Sequence, residues 1–147
     1  MIKIIAALIA LAVSGVCLAA NRSAMPSAEK CKALPNMEAA DCLSAVAGAL
    51  EPILNDYYQS ARASIQKAAV AEQGIIADEL NEAVGNLEQA QTSWRAYRDA
   101  HCDMVGKLYT NGSGKAVGEA MCIIEHTRFR IHELGEFGGL RGLPEPY

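Results

Sequence analysis

Leu80, Leu87, Trp94, Arg98, His101 and Val105 recur at steps of three, four and seven residues, and that spacing constrains the chain more than any other feature. At about 100° per residue they fall on one stripe of an α-helix, with Ala83, Ala90 and Leu108 along its edge. Composition agrees, because alanine, leucine, glutamate and glutamine dominate while β-branched and aromatic runs are missing. The breakers then set the boundaries. A first helical stretch is predicted from about Met37 to Gln73, with Gly74 as its C-cap and Pro52 kinking or dividing it. The second runs from about Ile76 or Asp78 to Leu108 and the third from about Ala116 to Leu134. Between them "TNGSGK", Thr110 to Lys115, reads as a turn. Residues 21–36, with Pro26 and Pro35, form an irregular lead-in, and 135–147, "GEFGGLRGLPEPY", a flexible tail. The expectation is one all-α domain over 37–134, a small disulfide-stapled bundle of three main helices.

The first twenty residues are excluded from that domain. Lys3 gives a positive start, Ile4 to Val13 is an almost unbroken apolar run, and "CLAA" ends the segment in small residues. These are the three parts of a secretory signal peptide, which makes the expected location periplasmic or secreted. The run is short for a permanent membrane helix, and no later stretch is apolar for long enough to span, so no stable membrane insertion is expected after cleavage. Valine before Cys17 stands where a lipidation signal wants a small residue. Lys3 is the only charge in the leader, so without it 12 basic residues face 17 acidic ones, a net charge of −5. Nucleic acid is an unsuitable partner for such a chain, and a cationic protein a suitable one.

Without Cys17, four cysteines remain: Cys31, Cys42, Cys102 and Cys122. An even count in an exported chain reads as two disulfides, and four cysteines permit three pairings. Sequence neighbours are the preferred partners, Cys31 with Cys42 and Cys102 with Cys122. Zinc is the competing use, but no C-x-x-C pair is present.

Enzymatic readings find little support. A Cys–His nucleophile needs a free thiol, and these thiols are more useful paired. His126 and His132 are six residues apart on one helix, on different faces, so "HTRFRIHE" lacks the i, i+4 histidine pair of a helical zinc protease. "GSGK" resembles a phosphate loop only in part, since alanine follows Lys115 and the glycine spacing fails. Asp78, Glu79, Glu82 and Glu88 belong mostly to a solvated face. The chain is therefore expected to be no enzyme, with no metal and no cofactor. Trp94 reads as a core residue. Arg98, one turn on, can stack on the indole or carry its head to a carboxylate or to helix carbonyls. His101 reads as half-buried and hydrogen-bonded.

Taken together, "AQTSWRAYRDAHC" (Ala90 to Cys102), "LNDYY" (Leu54 to Tyr58), the turn at Gly112 to Gly114 and "CIIEHTRFRIHEL" from Cys122 resemble the LprI-type lysozyme-inhibitor domain family of small exported bacterial proteins. The likeness runs from Cys31 to Leu134. One departure is Met37, five residues ahead of Cys42, where the family places its methionine just before the second cysteine. The resemblance implies that Trp94, Tyr97, Arg98 and Arg128 are scaffold residues and that the partner is a lysozyme, but it carries over no inhibitory residue. The net charge suits a cationic enzyme, and the leading expectation is a periplasmic protein that occludes its cleft. The exposed turn of Tyr109, Asn111, Gly112, Ser113, Gly114 and Lys115 is the segment best suited to reach into a cleft. The plainer reading of that turn is a helix connector. The alternative function is an envelope structural or stress-related interaction module without lysozyme activity.

Overall fold

The computed structural model describes residues 27–109 and 112–137; the leader, the segment before Ser27, Thr110, Asn111 and everything from 138 onward lie outside the described residues. Four helices follow in order: α1 Ala28–Lys32, α2 Asn36–Ala71, α3 Ile75–Leu108 and α4 Ser113–Phe137. The described residues contain no strand, and the fold is all-α with three main helices. Short connections make α2, α3 and α4 successive antiparallel neighbours. None of them is long and apolar enough to cross a membrane.

The core lies chiefly between α2 and α4, the pair with the most extensive contact. Leu43, Val46, Leu50, Leu54 and Ala61 of α2 meet Ala120, Ile124, Ile131 and Leu134 of α4. On both helices these positions step by threes and fours, or by a whole heptad, which keeps one narrow face turned to the partner. Helix α3 closes the third side with a continuous seam of Ala77, Leu80, Val84, Leu87, Gln91, Trp94, Arg98, His101 and Val105. All six residues of the predicted stripe lie in this seam, which adds Ala77, Val84 and Gln91. Val84, Gln91 and Arg98 are its more deeply buried members, whereas Ala90 and Leu108 are exposed. The stripe sits closer to the Val84–Gln91 line than the sequence suggested, because the two neighbouring helices flank α3 along that line.

The lead-in is not irregular throughout. Ser27 caps α1, its hydroxyl accepting from the Lys30 amide at 3.3 Å, and Glu29 occupies the favourable first turn. Cys31 and Cys42 stand at disulfide distance, Cα to Cα 5.5 Å, and fasten α1 to α2. Pro52 does not divide α2, which continues for 36 residues, about 54 Å at 1.5 Å per residue. The proline and Gly48, whose carbonyl it leaves without a donor, are both exposed, so water can satisfy that carbonyl. Buried Leu50 and Leu54 hold both halves of the helix against the core.

Gly74 is not the C-cap of α2 either. That helix stops at Ala71 with Glu72 extended, and Gly74, at φ 64°, starts α3 from the left-handed region. At the far end the predicted turn is shorter than "TNGSGK", because Ser113, Gly114 and Lys115 already form the first turn of α4. That helix also runs past Leu134, taking in residues 135–137 of the expected tail. Leu134, fully buried, anchors its last turns.

Candidate functional site

The ends of α3 and α4 that meet at the turn frame a cleft of about 470 Å³. Cys102 and Cys122, 5.4 Å apart between Cα atoms and at disulfide distance, staple its inner end. Val105, Tyr109, Val117 and Met121 supply apolar walls, and His101, Glu125 and His126 the polar ones. The walls stand close because of Gly118. A Cβ there would lie 2.5 Å from the Tyr109 ring, so only glycine lets that ring rest on α4. Tyr109 is nonetheless 56% exposed, and Leu108 and Met104 beside it on α3 are exposed too. The tip therefore offers apolar surface around a polar-lined cleft. On its α3 side the Lys107 ammonium, hydrogen-bonded to Asp103, holds that carboxyl below the usual carboxylate range, and the charge of Lys115 adds to the effect.

Three rings gather beside the staple. Tyr97 stacks on His101 at 5.4 Å between centroids, and His126 from α4 meets His101 edge-on at 5.1 Å and Tyr97 at 5.8 Å. His101 is half-buried, while Tyr97 is 55% exposed and belongs to the surface rather than the core. A ring nitrogen of each histidine and the sulfur of Cys122 lie within 4.8 Å of one another. Neither a C-x-x-C spacing nor a His–His pair at i, i+4 marks this cluster in the sequence. The signal that finds it is Cys122 and His126, a mixed pair at i, i+4 on one helix face.

One stretch inward, the hallmark residues build a junction of all three main helices. The side chain of Arg98 is only 7% exposed. Its Nη1 donates to Glu51 Oε1 of α2 at 2.5 Å and to Thr127 Oγ1 of α4 at 3.0 Å, and its Nε donates to Asp99 Oδ1 at 2.9 Å. Glu51 also accepts from Arg95 Nη1 at 2.8 Å. The Arg98 guanidinium lies 5.0 Å from the centre of the Trp94 ring, and Arg130 of α4 lies 5.9 Å from it. Arg130 Nε in turn donates to Gln91 Oε1 at 3.0 Å. Arg98 therefore does both things its position allows: it stacks on the indole and reaches a carboxylate. Glu51, Gln91 and Arg130 take part without having been singled out from the sequence. Arg128 is half-buried, and its Nε, buried, has no hydrogen-bond partner among the described residues.

Trp94 is half-buried at the edge of the core rather than enclosed by it. Trp94→Ala should accordingly cost about 2–3 kcal/mol, less than the ~3–5 of a fully enclosed large aromatic. Urea unfolding followed by far-UV circular dichroism measures this directly. A variant with unchanged stability would remove Trp94 from the scaffold and leave it a contact residue.

Of the turn residues, Tyr109 and Gly114 line the cleft, Lys115 is exposed in the first turn of α4 and Gly112 takes φ 69° to start that helix, while Asn111 lies outside the described residues and Ser113 is placed only as the first residue of α4. The comparisons with known proteins bear on the whole helical unit. A family model described as lysozyme inhibitor LprI matches residues 28–134, the span from the start of α1 to the last core leucine of α4. An uncharacterized protein of Rhizobium meliloti (strain 1021) is 31% identical over 120 residues, covering 82% of this chain and 86% of that relative. No solved structure matches.

Proposed function

The chain belongs to the lysozyme inhibitor LprI family, and on that premise we propose that it is an exported inhibitor that occludes a lysozyme cleft with the α3–α4 tip. The observation that carries the reading is the family match over the complete helical unit. Three physical features support it. The leader-like start and the two cysteine pairs at disulfide distance suit an extracytoplasmic location, where lysozyme acts. The net charge of −5 without the leader (12 basic residues against 17 acidic) favours encounter with a cationic enzyme. The tip itself combines exposed Leu108 and Tyr109 with a cysteine pair at its base that ties the ends of α3 and α4 together before binding. Inhibition of this kind requires no catalytic constellation, because it follows from filling the cleft.

The test is lysozyme turnover of cell-wall substrate in the presence of the purified protein, at several salt concentrations. Inhibition should weaken as salt rises through the range where the screening length falls to about 8–10 Å, with helicity unchanged. Replacing Leu108, Tyr109 and Lys115 together by alanine should weaken inhibition about tenfold or more, the scale of a lost interface anchor. An unchanged inhibition constant in that variant would move the contact surface to a helix face. Absence of inhibition at low salt would leave an envelope interaction module as the function.

A further inference from the structure

We propose that His101 and His126 form a binding site for a divalent transition-metal ion, Cu²⁺ in preference to Zn²⁺, at the mouth of the α3–α4 cleft. The two imidazoles come from different helices and meet edge-on at 5.1 Å between ring centres. Their nearest nitrogens share a 4.8 Å neighbourhood with the Cys122 sulfur. Donors held by one ion at ~2.0–2.3 Å stand roughly 3–4 Å apart, so modest ring rotations close the remaining gap. Both rings are half-buried and border the cleft, which gives them room to turn and gives an ion a path in.

The backbone that carries these rings is fixed. His101 directly precedes Cys102, and His126 lies one helical turn beyond Cys122, so the disulfide between the two cysteines sets the distance between the histidines. That is the preorganisation a two-point metal site requires. With its sulfur bonded to Cys102, Cys122 acts as staple and not as thiolate donor. Remaining coordination positions open onto the cleft, which Glu125 also lines, and water supplies their oxygen. A donor set of two imidazoles with oxygen suits borderline ions, and the ordinary affinity order places Cu²⁺ above Zn²⁺.

Calorimetric titration of the oxidised protein with Cu²⁺, buffered by glycine as a competing chelator, should saturate at one ion per chain. Electron paramagnetic resonance of the complex should show hyperfine coupling to two nitrogens. His101→Gln and His126→Gln keep most of the side-chain volume, and each should weaken binding by about tenfold or more while the thermal melt of the metal-free protein stays in place. His132→Gln, on the same helix as His126, should leave the affinity unchanged. Failure to saturate overturns the proposal. So does full affinity in the His101→Gln/His126→Gln double variant, or loss of affinity on replacing His132.

Discussion

Arg98→Ala is expected to lower the stability of the domain by about 3 kcal/mol, near the foot of the ~3–5 range for breaking a buried ion pair. From α3 this side chain hydrogen-bonds to both α2 and α4, through Glu51 and Thr127, while its guanidinium lies over the Trp94 ring. Removing it strands the buried Thr127 hydroxyl and leaves a void against the indole. Glu51 is the reason the loss is not larger, because it is partly exposed and keeps Arg95 as a partner. Arg98→Lys should recover less than half of the loss. A single ammonium cannot point at Glu51, Thr127 and Asp99 together, nor stack as a plane on tryptophan. Denaturant unfolding of the three proteins checks the order: wild type, then lysine, then alanine. A lysine variant as stable as wild type would mean that charge alone, rather than the guanidinium fork, holds the junction. Lysozyme inhibition by the folded fraction of each variant should stay constant, which separates a scaffold residue from a contact.

The helices were legible because their signals are local. Caps, glycines and a 3.6-residue period lie along the chain, and the predicted limits of α2 and α3 fall within three residues of those observed. What the sequence could not supply was the rotation of α3 about its axis. A stripe chosen by hydrophobicity favours Leu80, Leu87 and Trp94. The seam centre holds Gln91, which the stripe left out, beside Arg98, which it included, and these polar residues are buried where Arg130, Glu51 and Thr127 arrive from other helices. The same limit applies to Arg128 and Arg130. Both are arginines of one motif on one helix, and only the packing distinguishes the one beside the indole. The histidine cluster was hidden for another reason: His101 and His126 are 25 positions apart, and only the staple at Cys102 and Cys122 brings their helix ends together. The start of α4 at Ser113 shows composition misleading in the opposite direction, since Ser113 and Gly114 read as loop but stand in a helix whose later turns are firmly packed.

Reducing both disulfides should cost more than any single substitution, about 6 kcal/mol in total, since closing loops of this length contributes roughly 3 kcal/mol each. The sequence separations are 11 residues for Cys31–Cys42 and 20 for Cys102–Cys122. The two should nevertheless fail differently. Cys31–Cys42 holds a five-residue helix that packs chiefly on α2, so replacing that pair by alanine should free α1 and leave the three long helices cooperative. Amide exchange would then rise in residues 28–32 and little elsewhere. Cys102–Cys122 joins two long helices at the open end of the bundle, beside the cleft. Its replacement should lower the unfolding midpoint of the entire domain and accelerate exchange at the ends of α3 and α4. Thiol titration of the denatured, unreduced protein supplies the control, with no free thiol expected from Cys31, Cys42, Cys102 or Cys122. A free thiol, or a crossed pair in the peptide map, would sink the assignment of both staples. If Cys102→Ala/Cys122→Ala melts with the wild type, the α3–α4 tip is ordered by packing alone, and the disulfide has no part in presenting it to a partner.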